Sequence, residues 1–391
     1  MASRPGLVPV LAPEQDFGVQ DFDAVKYDID RLLPWMRAPD HQSMAEQAKG
    51  FKMLVAAVSE GETSERNLAA AKVDSLGGLA HAVDALLAFA RNGRDGFDSR
   101  MVHLIITLMQ KVLRRLRSGS HAIEACGMPV EGVWALLGVL AQLSGDVIHQ
   151  ALQCCLELVL SAVHRRAFVN QVHVLVHAIQ QWGLPSLPLP SATTSSWVTL
   201  LEWLLDTDRE SVLLLWTAGV EAVLLDAAVA HAGDGDVIAG ILKCLQFFWA
   251  RGLGLNSGNV RFLLRAIEEH GRSERLASLA CTFFSSLVES ALPLALTSMQ
   301  GILQAISALM GAEPIVAQVQ SQCCSILADL AQISCRLNAN TPDIQSFFLL
   351  GWPTLLAQAR EACFAFPHNA VIQTQAKRLR SFLPPVQPCA L

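Results

Sequence analysis

Ten cysteines are the residues of this chain best equipped for chemistry, as metal ligands or as disulfide partners. Their spacing argues against both. There is no CxxC pair, and Cys154 lies eight residues after Asp146, Cys244 eight after Asp236 and Cys281 eight after Ser273, while QCC recurs at 153–155 and 322–324. One register on successive helices puts them about 8–10 Å apart, the usual interaxial distance. That is too far to share a zinc with sulfur bonds of about 2.3 Å or to meet the Cα limit of about 7 Å for a disulfide. The cysteines are therefore expected to be small buried core residues. His173 and His177, four apart, would share a helix face as metal-binding histidines do, but no HExxH glutamate or third ligand accompanies them. GLGLNSG at 252–258 has the glycines of a phosphate loop without the Lys-Ser/Thr ending or a preceding strand, and is expected to be a connecting loop. A nucleophile elbow, strand-end carboxylate pairs and a Ser, His and Asp set are all missing. Enzymatic activity is not expected, nor a cofactor, a metal or a small-molecule ligand.

Charge clusters point elsewhere. Lys111, Arg114, Arg115 and Arg117 fall within KVLRRLR, HRR follows at 164–166, and between Glu202 and Asp236 stand eight acids with Arg209 as the one base. A basic helix end complements the helix dipole; on the same facts, a basic N-terminal end and an acidic middle would orient an extended charged partner. The formal charge of −6 leaves no global footprint for nucleic acid, and none is expected as a partner.

Hydrophobic residues make up 52% of the 391 residues and charged ones 16%, which requires a large buried core, and one tyrosine with few other aromatics disfavours strands. The absence of a secretory signal and of Asn-x-Ser/Thr acceptors fits reduced thiols in the cytoplasm or nucleus. Residues 290–312 are uncharged and long enough to span a bilayer, but Pro293, Gln300 and Gln304 interrupt them, so a buried helix pair is expected and no transmembrane segment.

Apolar residues recur at helical spacing along almost the whole chain, and even the alternating VHVLVH at 172–177 is read as helix because helical segments flank it. Two stretches, 123–159 and 216–249, nearly repeat one another. Aligned on glycine, Gly127 precedes Asp146 by 19 residues, Gly219 precedes Asp236 by 17, Gly351 precedes Asn369 by 18 and Gly78 precedes Asp98 by 20. Glycine permits a left-handed turn at a helix end, and Asp or Asn caps the next helix. The glycines stand 49, 92 and 132 residues apart, close to one, two and three periods of about 45. Hidden copies are then expected at 172–205, 259–289 and 298–332.

This pattern resembles the armadillo repeat: an apolar, a small, a glycine and a second apolar residue, then a short Leu-rich helix, a capping residue and a long final helix. The resemblance covers roughly residues 62–384. It implies an all-α, right-handed α-solenoid of about six or seven armadillo-like repeats, an α-α superhelix whose concave surface is built from final helices. Residues 1–18 are expected as a tail, 19–61 as an N-terminal helical cap, 183–197 as a Pro/Ser-rich loop within the array, and 385–391 as a second tail. None of the eight tryptophans has an Asn four positions later, which weighs against the localisation-signal receptors of the family. The expected function is a non-catalytic scaffold or adaptor for protein partners, holding an extended peptide or partner helix. Besides Lys111, Arg114, Arg115 and Arg117, the candidate contacts are His149, Gln153, Lys243, Gln322, Gln373 and Lys377 on the final helices. The alternative is a structural subunit of a larger assembly or membrane-associated complex.

Overall fold

Leu, Ala, Val and Ile at spacings of three and four give each segment one apolar stripe, and such stripes are stable only when buried against one another. In the computed structural model the described residues are 28–37, 43–92, 99–118, 128–140, 142–143, 146–182, 189–254, 256–271, 273–312, 316–336 and 352–381. They hold 20 helices and no strand, as an all-α solenoid requires. The chain divides into two compact units, Met1–Ala135 and Leu136–Leu391.

The first unit contains α1 (Ile29–Arg37), α2 (Met44–Ala57), α3 (Thr63–Ser75), α4 (Gly78–Asn92) and α5 (Ser99–Ser118), and the division falls within α6 (Glu131–Leu140). Helices α2, α3 and α4 all pack on α5, around Phe51, Leu54, Leu86, Ile105 and Met109. Arg37 donates to the carbonyls of Leu76 and Gly77 at 2.8 and 2.6 Å, closing the C-terminal end of α3 where Gly77 takes a left-handed φ of 74°.

The second unit continues with α7 (Asp146–Val159), α8 (Ala162–Asn170), α9 (Val172–Trp182), α10 (Ser191–Leu205), α11 (Arg209–Thr217), α12 (Val220–Ala230) and α13 (Gly235–Trp249). It ends with α14 (Ser257–His270), α15 (Glu274–Ser290), α16 (Leu292–Thr297), α17 (Met299–Met310), α18 (Ala317–Arg336), α19 (Trp352–Ala365) and α20 (Ala370–Ser381). The long final helices form a ladder, α7 on α10, α10 on α13, α13 on α15, α15 on α18 and α18 on α20. Behind it the second helices also meet: α9 packs on α12, α14 on α17 and α17 on α19. The stretch VHVLVH is helical, within α9. Residues 290–312 form α16 and α17, the latter burying seven side chains including Ile302, Ile306 and Leu309. No single described helix is long and apolar enough to cross a membrane; α11 and α12 together have that length and composition, with a 69° bend between them.

Two local expectations need correction. The cap of α13 is Asp234, not Asp236: its carboxylate accepts from the amides of Asp236 and Val237, each at 3.2 Å. Spacing alone could not choose between two aspartates two residues apart. Elsewhere Asn369 caps α20 as expected, and Gly219 takes a φ of 83° at the α11–α12 junction. Gly127, Gly351 and Asp98 lie outside the described residues, as do both tails.

The second correction concerns 183–197. The chain is already helical from Ser191, and Thr193, Thr194, Ser196 and Trp197 are buried; 183–188 lie outside the described residues. Proline is compatible with a helix start, so Pro190 opens α10 rather than prolonging a loop, and the small Ser and Thr side chains let α7 and α13 approach closely. Of GLGLNSG, by contrast, 252–254 and Asn256 are the connection expected, while Ser257 and Gly258 already open α14. Gly252 and Gly254 are left-handed, and a Cβ on Gly254 would stand 2.4 Å from the Glu221 carboxylate and 3.1 Å from Trp216. Asn256 caps α14 through the amides of Gly258 and Asn259.

The Asp234 cap has a testable acid dependence. Hydrogen bonding from the Val237 amide holds its carboxyl below the usual aspartate range, so its stabilisation is present above about pH 4 and lost as pH falls through the lower folded value. Asp234→Ala is expected to cost about 1 kcal/mol at pH 7 in urea unfolding, with the difference from the parent shrinking below pH 4.

Candidate protein-binding face

Each final helix of the second unit buries one stripe and leaves another uncovered. On α15 the buried stripe is Leu276, Ala280, Phe283, Phe284 and Leu287, and the uncovered one is Arg275, Ser278, Thr282, Ser285 and Glu289. On α18 Cys323, Leu327 and Leu330 are buried while Ser321, Gln322, Ser325 and Asp329 are not. Thr199 on α10 and Gln246 on α13 continue the uncovered face. Hydroxyls and amides dominate it, and they both donate and accept hydrogen bonds.

What joins neighbouring final helices differs at every step. Between α7 and α10, Gln153 donates to the Ser196 hydroxyl at 3.0 Å and His149 Nδ1 lies 3.3 Å from the same oxygen. Ser196 itself donates to the Ala192 carbonyl at 2.8 Å, so His149 Nδ1 must carry its hydrogen and donate. Between α10 and α13, Lys243 pairs with Glu202, and the Cys244 thiol donates to the Val198 carbonyl at 3.4 Å. Between α13 and α15, Trp249 meets Phe283 edge-on with ring centroids 4.1 Å apart. Between α15 and α18, the thiols of Cys281 and Cys323 stand 3.5 Å apart. Between α18 and α20, Arg378 pairs with Asp329 at 2.8 Å and donates to Gln332.

Most of the candidate contacts on the final helices are therefore occupied within the solenoid. His149, Gln153 and Lys243 link neighbouring helices, and Gln373 donates to the Cys363 carbonyl at 2.9 Å and to Phe366, closing the end of α19. Gln322 is half-buried, and its Oε1, itself buried, has no hydrogen-bond partner among the described residues; Lys377 is exposed on α20. Lys111 and Arg115 are half-buried and Arg114 and Arg117 exposed, all on α5 of the first unit, with Arg115 and Arg117 in its last turn where they complement the helix dipole. Sequence reasoning missed Ser278, Thr282, Ser285 and Ser325, whose only signal was recurrence opposite the apolar stripe.

Cys154, Cys155, Cys244, Cys281, Cys323 and Cys324 are buried and Cys363 is half-buried. The expectation that thiols of successive final helices stay apart fails for Cys281 and Cys323. Interaxial distance is measured between axes, whereas two side chains pointing into the same interface close most of it. Burial pushes the Cys155 and Cys324 thiols up to about 12, and the hydrogen bond with Cys281, together with burial, holds Cys323 well above the usual thiol range. His173 and His177 are both exposed on α9. Among the described residues no group of three or more His, Cys, Asp or Glu could hold a metal ion.

No protein-family model and no curated protein matches the sequence. Solved structures do. A chain from a study of the phosphorylation switch that controls the interaction between cadherin and β-catenin superposes with a TM-score of 0.59 at 14% identity, covering 92% of this chain and 66% of that one. This protein thus spans slightly less than two thirds of that chain. An engineered protein from a structural genomics consortium superposes with a TM-score of 0.51 at 12% identity, over 91% of this chain and 98% of that one. A designed armadillo repeat protein matches over 71% of this chain and 99% of that one, with 13% identity and a TM-score of 0.39. The fold is armadillo-like, as the repeat pattern implied. At these identities the likeness concerns the fold alone.

Proposed function

We propose that this protein is a non-catalytic scaffold or adaptor that binds an extended peptide, or a partner helix, along the uncovered face of its final helices. The observation that carries the reading is the stripe of Thr199, Gln246, Ser278, Thr282, Ser285, Gln322 and Ser325, which runs over four neighbouring helices while the core behind them is complete. An extended peptide offers an amide and a carbonyl at each residue, and hydroxyls and amides satisfy both without the desolvation cost of unpaired charges. The cadherin and β-catenin structure supports the reading by analogy of fold, because that study concerns a protein interaction. Most of the charges on the face already have partners, Glu202 with Lys243 and Asp329 with Arg378, so the peptide is read by shape and backbone.

The structural-subunit alternative keeps one specific observation in its favour: Phe364 is 84% exposed and Val371 54% exposed on the last two described helices. Affinity capture from native extract on the purified full-length protein separates the two. A double variant, Ser285→Glu with Ser325→Glu, adds two charges to the face at residues that are not in the core. The scaffold reading expects a small set of proteins whose recovery falls about tenfold with the variant, roughly 1.4 kcal/mol. The same set recovered equally by both proteins, or a protein insoluble without one fixed complex, would overturn it.

A further inference from the structure

We infer that the second unit carries another interaction site, away from the final-helix face, which takes a partner peptide presenting an aliphatic side chain close to a lysine or arginine. It lies between α12 and α14. The spacing of final helices shortens here: α15 starts 39 residues after α13, whereas α13 starts 44 after α10. The shortfall is a first helix. Residues 250–254 stand in its place, pinned by Asn259, which donates to the Gly254 carbonyl at 2.5 Å and to Glu221 at 2.6 Å. With no first helix to set their spacing, α14 packs on α17 but hardly on α12.

The result is an apolar cleft of about 110 Å³ between Val229 and Ala228 on one side and Phe262 and Ala266 on the other, floored by Ile238. Val229 is 79% exposed, a large apolar side chain left open on α12. Such exposure is costly in water unless something covers it. The cleft has room for one branched aliphatic side chain.

Charge defines what stands beside that side chain. Glu269 and His270 line the cleft and also an adjoining open pocket of about 810 Å³ that includes Asp234 and Asp236. Asp226, one turn before Val229, and Glu268 are exposed nearby in sequence. Against these acids stand Arg265, which is paired with Glu269 at 2.9 Å, and the exposed Arg261. His231 is engaged with the Thr194 hydroxyl at 3.0 Å, and His270 Nε2 donates to the Ala232 carbonyl at 2.5 Å, so both imidazoles are held as walls. Asp234 is committed to its cap, which leaves Asp236, exposed in the first turn of α13, as the carboxylate best placed for an incoming cation. An apolar slot bordered by acids is complementary to an aliphatic residue followed or preceded by a base, and mismatched to an acidic peptide.

The test uses a random twelve-residue peptide display library sorted on the purified full-length protein, with three variants as counter-targets. Val229→Lys closes and charges the slot, Asp236→Arg reverses the rim, and Ser285→Glu with Ser325→Glu alters only the final-helix face. Val229 and Asp236 are exposed, so folding is checked by unchanged thermal unfolding. The expected outcome is enrichment of clones with Leu, Ile or Val one to three positions from Lys or Arg, whose binding falls about tenfold in each of the first two variants and is unchanged in the third. The inference is overturned if no clone with that pattern is enriched, or if such clones bind Val229→Lys and Asp236→Arg as well as the parent. Clones lost only with the third variant would belong to the final-helix face and would leave this cleft without a ligand, which also overturns it.

Discussion

Replacing Trp249 by alanine is expected to destabilise the protein by about 3–5 kcal/mol, the range for removing a large aromatic side chain from a close-packed core. Trp249 is 1% exposed and Phe283 fully buried, and their rings meet edge-on across the interface of α13 and α15. Phe248, next to Trp249, packs in turn on Trp216 of α11, so the substitution opens a cavity where two repeats are joined. The indole nitrogen has no hydrogen-bond acceptor among the described residues, so no polar partner is orphaned and the loss is one of packing. Stability in a repeat stack is a sum of repeat and nearest-neighbour terms, so weakening one interface uncouples what lies on either side. Urea unfolding followed by circular dichroism should show the parent's transition moving to lower urea and separating into two steps. A variant that unfolds at the parent's midpoint would show that the aromatic contact contributes little to coupling.

The second large effect concerns the thiols. Cys155 and Cys324, pushed up to about 12 by burial, hold about one thiolate in 10⁴ molecules at pH 8, and Cys154, Cys244 and Cys323 are raised as well. Their alkylation by iodoacetamide in the native protein is expected to be about 10³-fold slower than that of a free cysteine, and to reach the ordinary rate in urea. Peptide mapping of a labelling time course reads each site separately, and fast native labelling of Cys155 or Cys324 would contradict their burial. The same shifts set an alkaline limit. A thiol raised in the folded state contributes stability that is fully present below the ordinary thiol value, near pH 9, and is lost as pH rises through the folded value. The urea midpoint should therefore fall steadily from pH 9 towards pH 12.

Much of the fold was legible because its signals are local. The period of about 45 residues, the helix stripes, the burial of Cys154, Cys244 and Cys281 and the helical state of VHVLVH all follow from spacing along the chain. The candidate site was far less legible. Polarity at a final-helix position singled out His149, Gln153 and Lys243, yet polarity is equally what an inter-helix bond requires, and the register between helices decides which use prevails. Gln373 failed for a related reason, since its amide turns back to the end of the preceding helix.

By itself, the sequence determined that the regular structure of the described residues is helical, that the helices recur in units and that each has one face to bury, because backbone geometry and apolar spacing act within a few residues. Only the tertiary structure decided which neighbours meet. It set the Cys281 and Cys323 thiols 3.5 Å apart, chose Asp234 over Asp236 as the cap, drew Ser191 to Trp197 into a helix, and left a cleft where one repeat lacks its first helix. Each of these depends on side chains some 40 residues apart, or on an end-of-helix geometry, that no local pattern encodes.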